Sequence, residues 1–76
     1  MAIDERIIHT NLQEIVDNGS KSKALDYAVD YARVGLRMTG EDLRVQCLYV
    51  VTNITGWRGD QAKRIRKNLH DFIARK

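Results

Sequence analysis

Seventy-six residues with one cysteine, no proline and a formal charge of +3 make one domain at most and exclude an internal disulfide. No apolar run approaches the ~20 residues that span a bilayer, and 43% hydrophobic with 30% charged residues excludes a disordered chain. A domain this small needs very regular helix packing or oligomerisation to be stable.

The first helical segment lies within Asp4 to Asn18, where Ile8, Leu12, Ile15 and Val16 recur at helical spacing. Two starts are open. Thr10 and Gln13 fit a capping box, which gives a short helix preceded by an arm from Ile3 to Ile8. Asp4 and Glu5 instead begin a longer helix. Asn18-Gly19 stops either one.

Gly19-Ser20-Lys21-Ser22 reads as a hinge, with Ser20 or Ser22 capping a second helix that runs to about Met38. On a 100° wheel Lys23, Asp26, Asp30, Arg33 and Arg37 fall within an arc of about 80°. Acids come early and arginines late, as the helix macrodipole prefers. The wide remaining arc is apolar. Its centre is small (Ala24, Ala28, Ala32, Gly35), with Leu25, Val29 and Leu36 on one flank and Tyr27, Tyr31, Val34 and Met38 on the other. Such an arc is wider than a surface helix needs. Either the helix is central in the bundle, or one flank serves an oligomer interface.

Thr39-Gly40-Glu41-Asp42 ends that helix and caps a third, expected from about Gly40 to Thr55 with Leu43, Cys47, Val50, Val51 and Ile54 facing inward. Val45, Leu48, Tyr49 and Thr52 fall on its outer side. Gly56 ends it, Trp57 plugs the corner, and Asp60 caps a last helix striped by Ala62, Ile65, Leu69, Phe72 and Ile73. Residues 1–76 are therefore expected to form a single all-α domain, a small helical bundle of three long helices plus a short N-terminal helix or arm.

Charge is divided unevenly along the chain. Residues 57–76 carry seven cations against two acids, and residues 1–56 carry six against eight. In the last helix Lys63, Arg66, Lys67 and His70 lie together beside the apolar stripe, with Arg64 and Arg75 opposite. Arg75 and Lys76 suit a helix C-terminus, but cations in the first turns are unfavourable there, so an anionic surface is expected to recruit them. That surface is an acidic protein or a nucleic acid.

Catalysis is not expected. The chain has no recognisable nucleophile–base pair, no glycine-rich phosphate loop and no paired carboxylates on a cleft. His9, Cys47 and His70 are too few and too scattered for zinc, so neither a metal nor a cofactor is implied. Cys47 reads as an inert buried thiol and the histidines as surface or capping residues. A lone cysteine and a charged start (Asp4, Glu5, Arg6) without a leader-like apolar core predict a cytoplasmic protein.

A helix-turn-helix alignment can be drawn through the C-terminal half. Gly56 takes the turn, Val51, Trp57, Ala62 and Ile65 take apolar positions, and Arg58, Gln61, Lys63 and Arg64 face DNA. Thr52, Thr55 and Gly59 depart from that pattern.

The stretch Thr39 to Phe72, with the phrases Leu43-Arg44-Val45-Gln46-Cys47-Leu48-Tyr49-Val50-Val51-Thr52-Asn53 and Trp57-Arg58-Gly59-Asp60-Gln61-Ala62-Lys63, resembles small helical accessory proteins of phages and prophages. It covers somewhat under half of the chain and transfers no site residue. The resemblance implies a protein that binds a host component. Anti-defence proteins, anti-CRISPR inhibitors among them, share this size class, and they are mostly non-enzymatic and often oligomeric.

The expectation is thus a non-enzymatic interaction protein that binds a host protein or nucleoprotein complex through Arg58, Lys63, Arg64, Arg66, Lys67 and His70. Self-contact is expected at Tyr27, Tyr31, Val34, Met38, Val45 and Tyr49, giving a homodimer or higher oligomer. The alternative is a helix-turn-helix-like DNA-binding regulator.

Overall fold

The structure, a computed structural model, describes residues 4–19 and 21–74. The expected roles of Ile3, Ser20, Arg75 and Lys76 lie outside the described residues. Four α-helices follow in order: α1 (Glu5–Asn18), α2 (Asp26–Gly35), α3 (Gly40–Thr52) and α4 (Asp60–Ala74). One 3-10 turn, Lys23–Leu25, leads into α2, and no strand occurs among the described residues. The chain is an all-α bundle in which consecutive helices pack side by side and α4 closes against α1.

The first helix is long. Asp4, in extended conformation, accepts the Arg6 backbone N–H at 2.8 Å and caps α1 one turn and a half before Thr10. The capping box is not formed: the Thr10 hydroxyl donates to the Arg6 carbonyl and Gln13 to Asp17, both within the helix. The short element is instead α2, with 10 residues against 14 in α1. Ser22 precedes the 3-10 turn without a side-chain capping bond, and residues 36–38 leave α2 through tight turn bonds.

Burial follows the apolar stripes. Ile8, Leu12 and Ile15 of α1, Leu25, Ala28 and Ala32 around α2, Leu43, Cys47, Val50, Val51 and Ile54 around α3, and Ala62, Ile65, Leu69 and Phe72 of α4 form one core. Trp57 is buried in the corner between α3 and α4, as its position after Gly56 predicts. The β-branched end of α3 is helical through Thr52, three residues short of the expected stop.

Side chains fasten the helices to one another. The Glu5 carboxylate accepts the Gly40 N–H at 3.0 Å, joining the start of α1 to the start of α3. Gly40 has φ +59°, a conformation that strains a residue with a Cβ. The His9 ring donates through Nε2 to the Met38 carbonyl at 2.8 Å, holding the α2–α3 turn on α1. Arg44 pairs with Glu41 at 2.7 Å and donates to the Ile73 carbonyl at 3.1 Å, so it links α3 to the end of α4.

Gly19 is required by proximity rather than by φ, which is −60°. A Cβ there would overlap Val29 of α2. Gly56 has open space around it and no positive φ. Gly19→Ala is therefore expected to destabilise the fold by about 1–3 kcal/mol through overpacking, and Gly56→Ala to leave it within about 0.5 kcal/mol. Urea denaturation of both variants checks the contrast.

Candidate functional site

Two surfaces come from the sequence reading, the basic α4 and the outer face of α2 and α3. The structure treats them differently.

Much of the basic helix turns inward. Arg64 pairs with Glu14 of α1 at 2.7 Å. Gln61 donates to the same carboxylate oxygen, Oε2, at 2.9 Å, and Asn11 donates to the other, Oε1, at 3.0 Å. Asn68 in turn donates to Asn11 at 2.9 Å, so a buried asparagine is satisfied by both helices. The Arg64 hydrogen bond, helped by those of Gln61 and Asn11 and opposed by burial, lowers the Glu14 pKa to about 2. The same contact raises the pKa of the Arg64 guanidinium.

Arg66 is engaged elsewhere. Its Nη1 donates to the Ile54 carbonyl at 3.2 Å and to the Trp57 carbonyl, closing the end of α3 and the loop that follows. Lys67 pairs with Asp71 at 3.1 Å on an exposed face, where such pairs contribute little. Of the six residues expected to meet an anionic partner, Arg64 and Arg66 are therefore committed to the fold. Arg58, Lys63 and His70 are exposed, and their side chains make no hydrogen bond or ion pair among the described residues. The compact patch narrows to Lys63, Lys67 and His70.

The helix-turn-helix alignment meets the same obstacle. Val51, Trp57, Ala62 and Ile65 are buried as it requires. However, residues 53–59 separate α3 from α4, longer than the 3–4-residue turn of that motif. Gln61 and Arg64, assigned to DNA, bind Glu14 instead.

The α2–α3 face is brought together as a surface. Tyr27, Tyr31, Val34, Val45, Leu48 and Tyr49 are all exposed large hydrophobic residues of these two helices. Outside them, only Ile7 on α1 joins that class among the described residues. The Tyr31 and Tyr49 rings stack with centroids 5.8 Å apart and planes inclined by 22°. Gln46, itself buried, donates to the Tyr31 carbonyl at 2.8 Å and sets the register of α3 on α2. Tyr31 lies on Tyr49 while Gly35 lies against Gln46 and Leu43, so the two helices run antiparallel.

Five of the six expected self-contact residues stand on this face. Met38 departs from the group: it is half-buried and packs on the core. Leu48, already on the outer side of the α3 wheel, joins the surface at 51% exposure. Its place three residues after Val45 was the available signal.

Reactive groups are held quietly. Burial pushes the Cys47 thiol up to about 12, so it stays protonated at neutral pH. His9 is tied to the Met38 carbonyl. No three His, Cys, Asp or Glu side chains among the described residues stand close enough to hold a metal ion, and no described helix is long and apolar enough to cross a membrane. Comparison with protein-family models, curated proteins and solved structures found no match.

Two outcomes are expected. Glu14 has a lowered folded pKa, so its contribution is fully present above the ordinary carboxylate value of 4.5 and lost as pH falls toward about 2. Half-exposed Arg64 is partly screened, so the loss should be about 1–2 kcal/mol, and Glu14→Gln should remove that part of the pH dependence of urea unfolding. Arg66→Ala should cost about 1–3 kcal/mol by orphaning loop carbonyls, whereas Lys67→Ala should cost under about 0.5 kcal/mol in the same assay.

Proposed function

We propose that this chain is a non-enzymatic interaction protein that associates with itself through the α2–α3 face and presents its free cations to a host protein or nucleoprotein complex. The observation that carries this reading is the collection of six exposed large hydrophobic side chains, three of them tyrosines, on two adjacent helices. Apolar patches of this kind mark contact sites, and tyrosine supplies large contact area at low conformational cost. Both helices are anchored behind it, by Gln46 and by the close approach at Gly35, so the surface is already ordered before a partner arrives.

Arg58, Lys63, Lys67 and His70 are the side chains proposed to meet the host partner. They steer an acidic surface without the bidentate geometry of the inward-turned arginines. The resemblance of Thr39 to Phe72 to phage and prophage accessory proteins supports an early or accessory role in the host cytoplasm, of which an anti-defence, anti-CRISPR-like inhibitor is one form. The engagement of Gln61 and Arg64 by Glu14 favours this reading over a DNA-binding regulator.

Sedimentation equilibrium tests the self-association. A dimer of the 8.8 kDa chain is expected at micromolar concentration, and Tyr31→Glu combined with Leu48→Glu should yield a folded monomer. A parent chain that stays monomeric at high micromolar concentration would overturn the reading.

A further inference from the structure

We infer that α2 packs antiparallel against α2 of a second copy, about a two-fold axis passing beside Tyr31. The inference rests on the self-association proposed above and adds its geometry. It starts from four charges that the monomer leaves unused. Asp26 and Asp30 stand in the first half of α2, Arg33 in its last turn and Arg37 in the tight turn that continues it, and all four are exposed. Among the described residues none of them forms an ion pair, although four other pairs do form.

These charges form a strip beside the one that carries Tyr27, Tyr31 and Val34, about a quarter-turn round the helix at 100° per residue. A two-fold axis perpendicular to two antiparallel helices brings the same flank of each helix to the same side. Charged strip then meets charged strip, and tyrosine strip meets tyrosine strip. The alignment that sets Asp30 opposite Arg33 also sets Asp26 opposite Arg37, and symmetry repeats both pairs. Sliding the helices by one turn forfeits one kind of pair. A parallel arrangement puts aspartate against aspartate and arginine against arginine. Antiparallel packing also opposes the helix dipoles favourably. The macrodipole of a single helix accounts for the order of these charges, but not for their lying beside the apolar strip.

The same register gives Tyr27 a place. At 77% exposure it is the most exposed large hydrophobic residue of the chain among those described. It falls opposite Leu36 of the second copy, over the shallow groove lined by Arg33, Val34, Arg37 and Met38. A tyrosine ring between two guanidinium groups on an apolar floor combines burial with cation–π attraction. Alone, α2 is about 15 Å long and too short for a stable interface of about 800 Å² per partner. Val45, Leu48 and Tyr49 of the adjoining α3 extend the contact.

Two charge variants test the register. Arg33→Asp with Arg37→Asp makes the strip acidic, and Asp26→Arg with Asp30→Arg makes it basic. Each alone should dimerise at least tenfold more weakly than the parent, and an equimolar mixture should form a heterodimer of parental affinity. A parent that dimerises while the variants match it, or a mixture that stays dissociated, overturns the register but leaves self-association standing. A monomeric parent overturns both. A second measurement avoids the charge changes. Tyr31→Cys, beside the axis, should form an intermolecular disulfide on mild oxidation. Tyr27→Cys should not, because its symmetry mate lies about 13 Å away along the helix. Equal crosslinking of the two, or crosslinking of Tyr27→Cys alone, would overturn the antiparallel arrangement.

Discussion

Small side chains on the inner face of α2 set how the other helices can meet. Ala28, Ala32 and Gly35 are buried, and a Cβ on Gly35 would come within 2.8 Å of Leu12 and 3.3 Å of Gln46. Helix α2 therefore lies very close to both α1 and α3. That closeness lets Gln46 reach the Tyr31 carbonyl and lets the Tyr31 ring lie on Tyr49. It also leaves no room inside for bulk. The large residues of α2 are displaced to its outer flank, where Tyr27, Tyr31 and Val34 make a surface that the monomer does not cover. A core in a domain of this size is small, so aromatic area left outside is a substantial share of what burial could stabilise.

Charge is handled by residue type. Among the described residues, the cations that link one element to another are arginines: Arg44 on Glu41 and Ile73, Arg64 on Glu14, and Arg66 on two carbonyls. A planar guanidinium can hold several acceptors in fixed directions, which a lysine ammonium does less well. The one lysine ion pair among the described residues, Lys67 with Asp71, is exposed at both ends. A helix that reads as uniformly basic is thus two things at once, with arginines that brace α1 and the α3–α4 loop and lysines that face solvent. On that helix Lys63, Lys67 and His70 are left to be read by a partner, with Arg58 just before it.

The fold was largely legible because apolar spacing is local information. The stripes through Ile8, Leu12 and Ile15, through Leu43, Cys47 and Val50, and through Ala62, Ile65, Leu69 and Phe72 all enter the core. The start of α1 was ambiguous because Asp4 and Thr10 are both competent caps. The competition is decided by Asp4 bonding Arg6 and by Glu5 reaching Gly40 on a distant helix. Asn11 and Gln46 were not legible as core residues. Their burial depends on acceptors and donors that come from other helices, Asn68 for the first and the Tyr31 carbonyl for the second. The tyrosine face was partly legible as an over-wide apolar arc on α2.

By itself, the sequence determined the helical class, the inward stripes, the turns at Gly19 and Gly40, and the excess of cations at the C-terminal end. Each of these follows from periodicity or backbone preference within a few residues. The tertiary structure alone decided which cations remain available and which apolar residues share a surface. Glu14 and Arg64 are fifty positions apart, and Tyr31 meets Tyr49 only after α2 and α3 have packed antiparallel. Pairings at that separation depend on how helices approach one another, and no local pattern carries them.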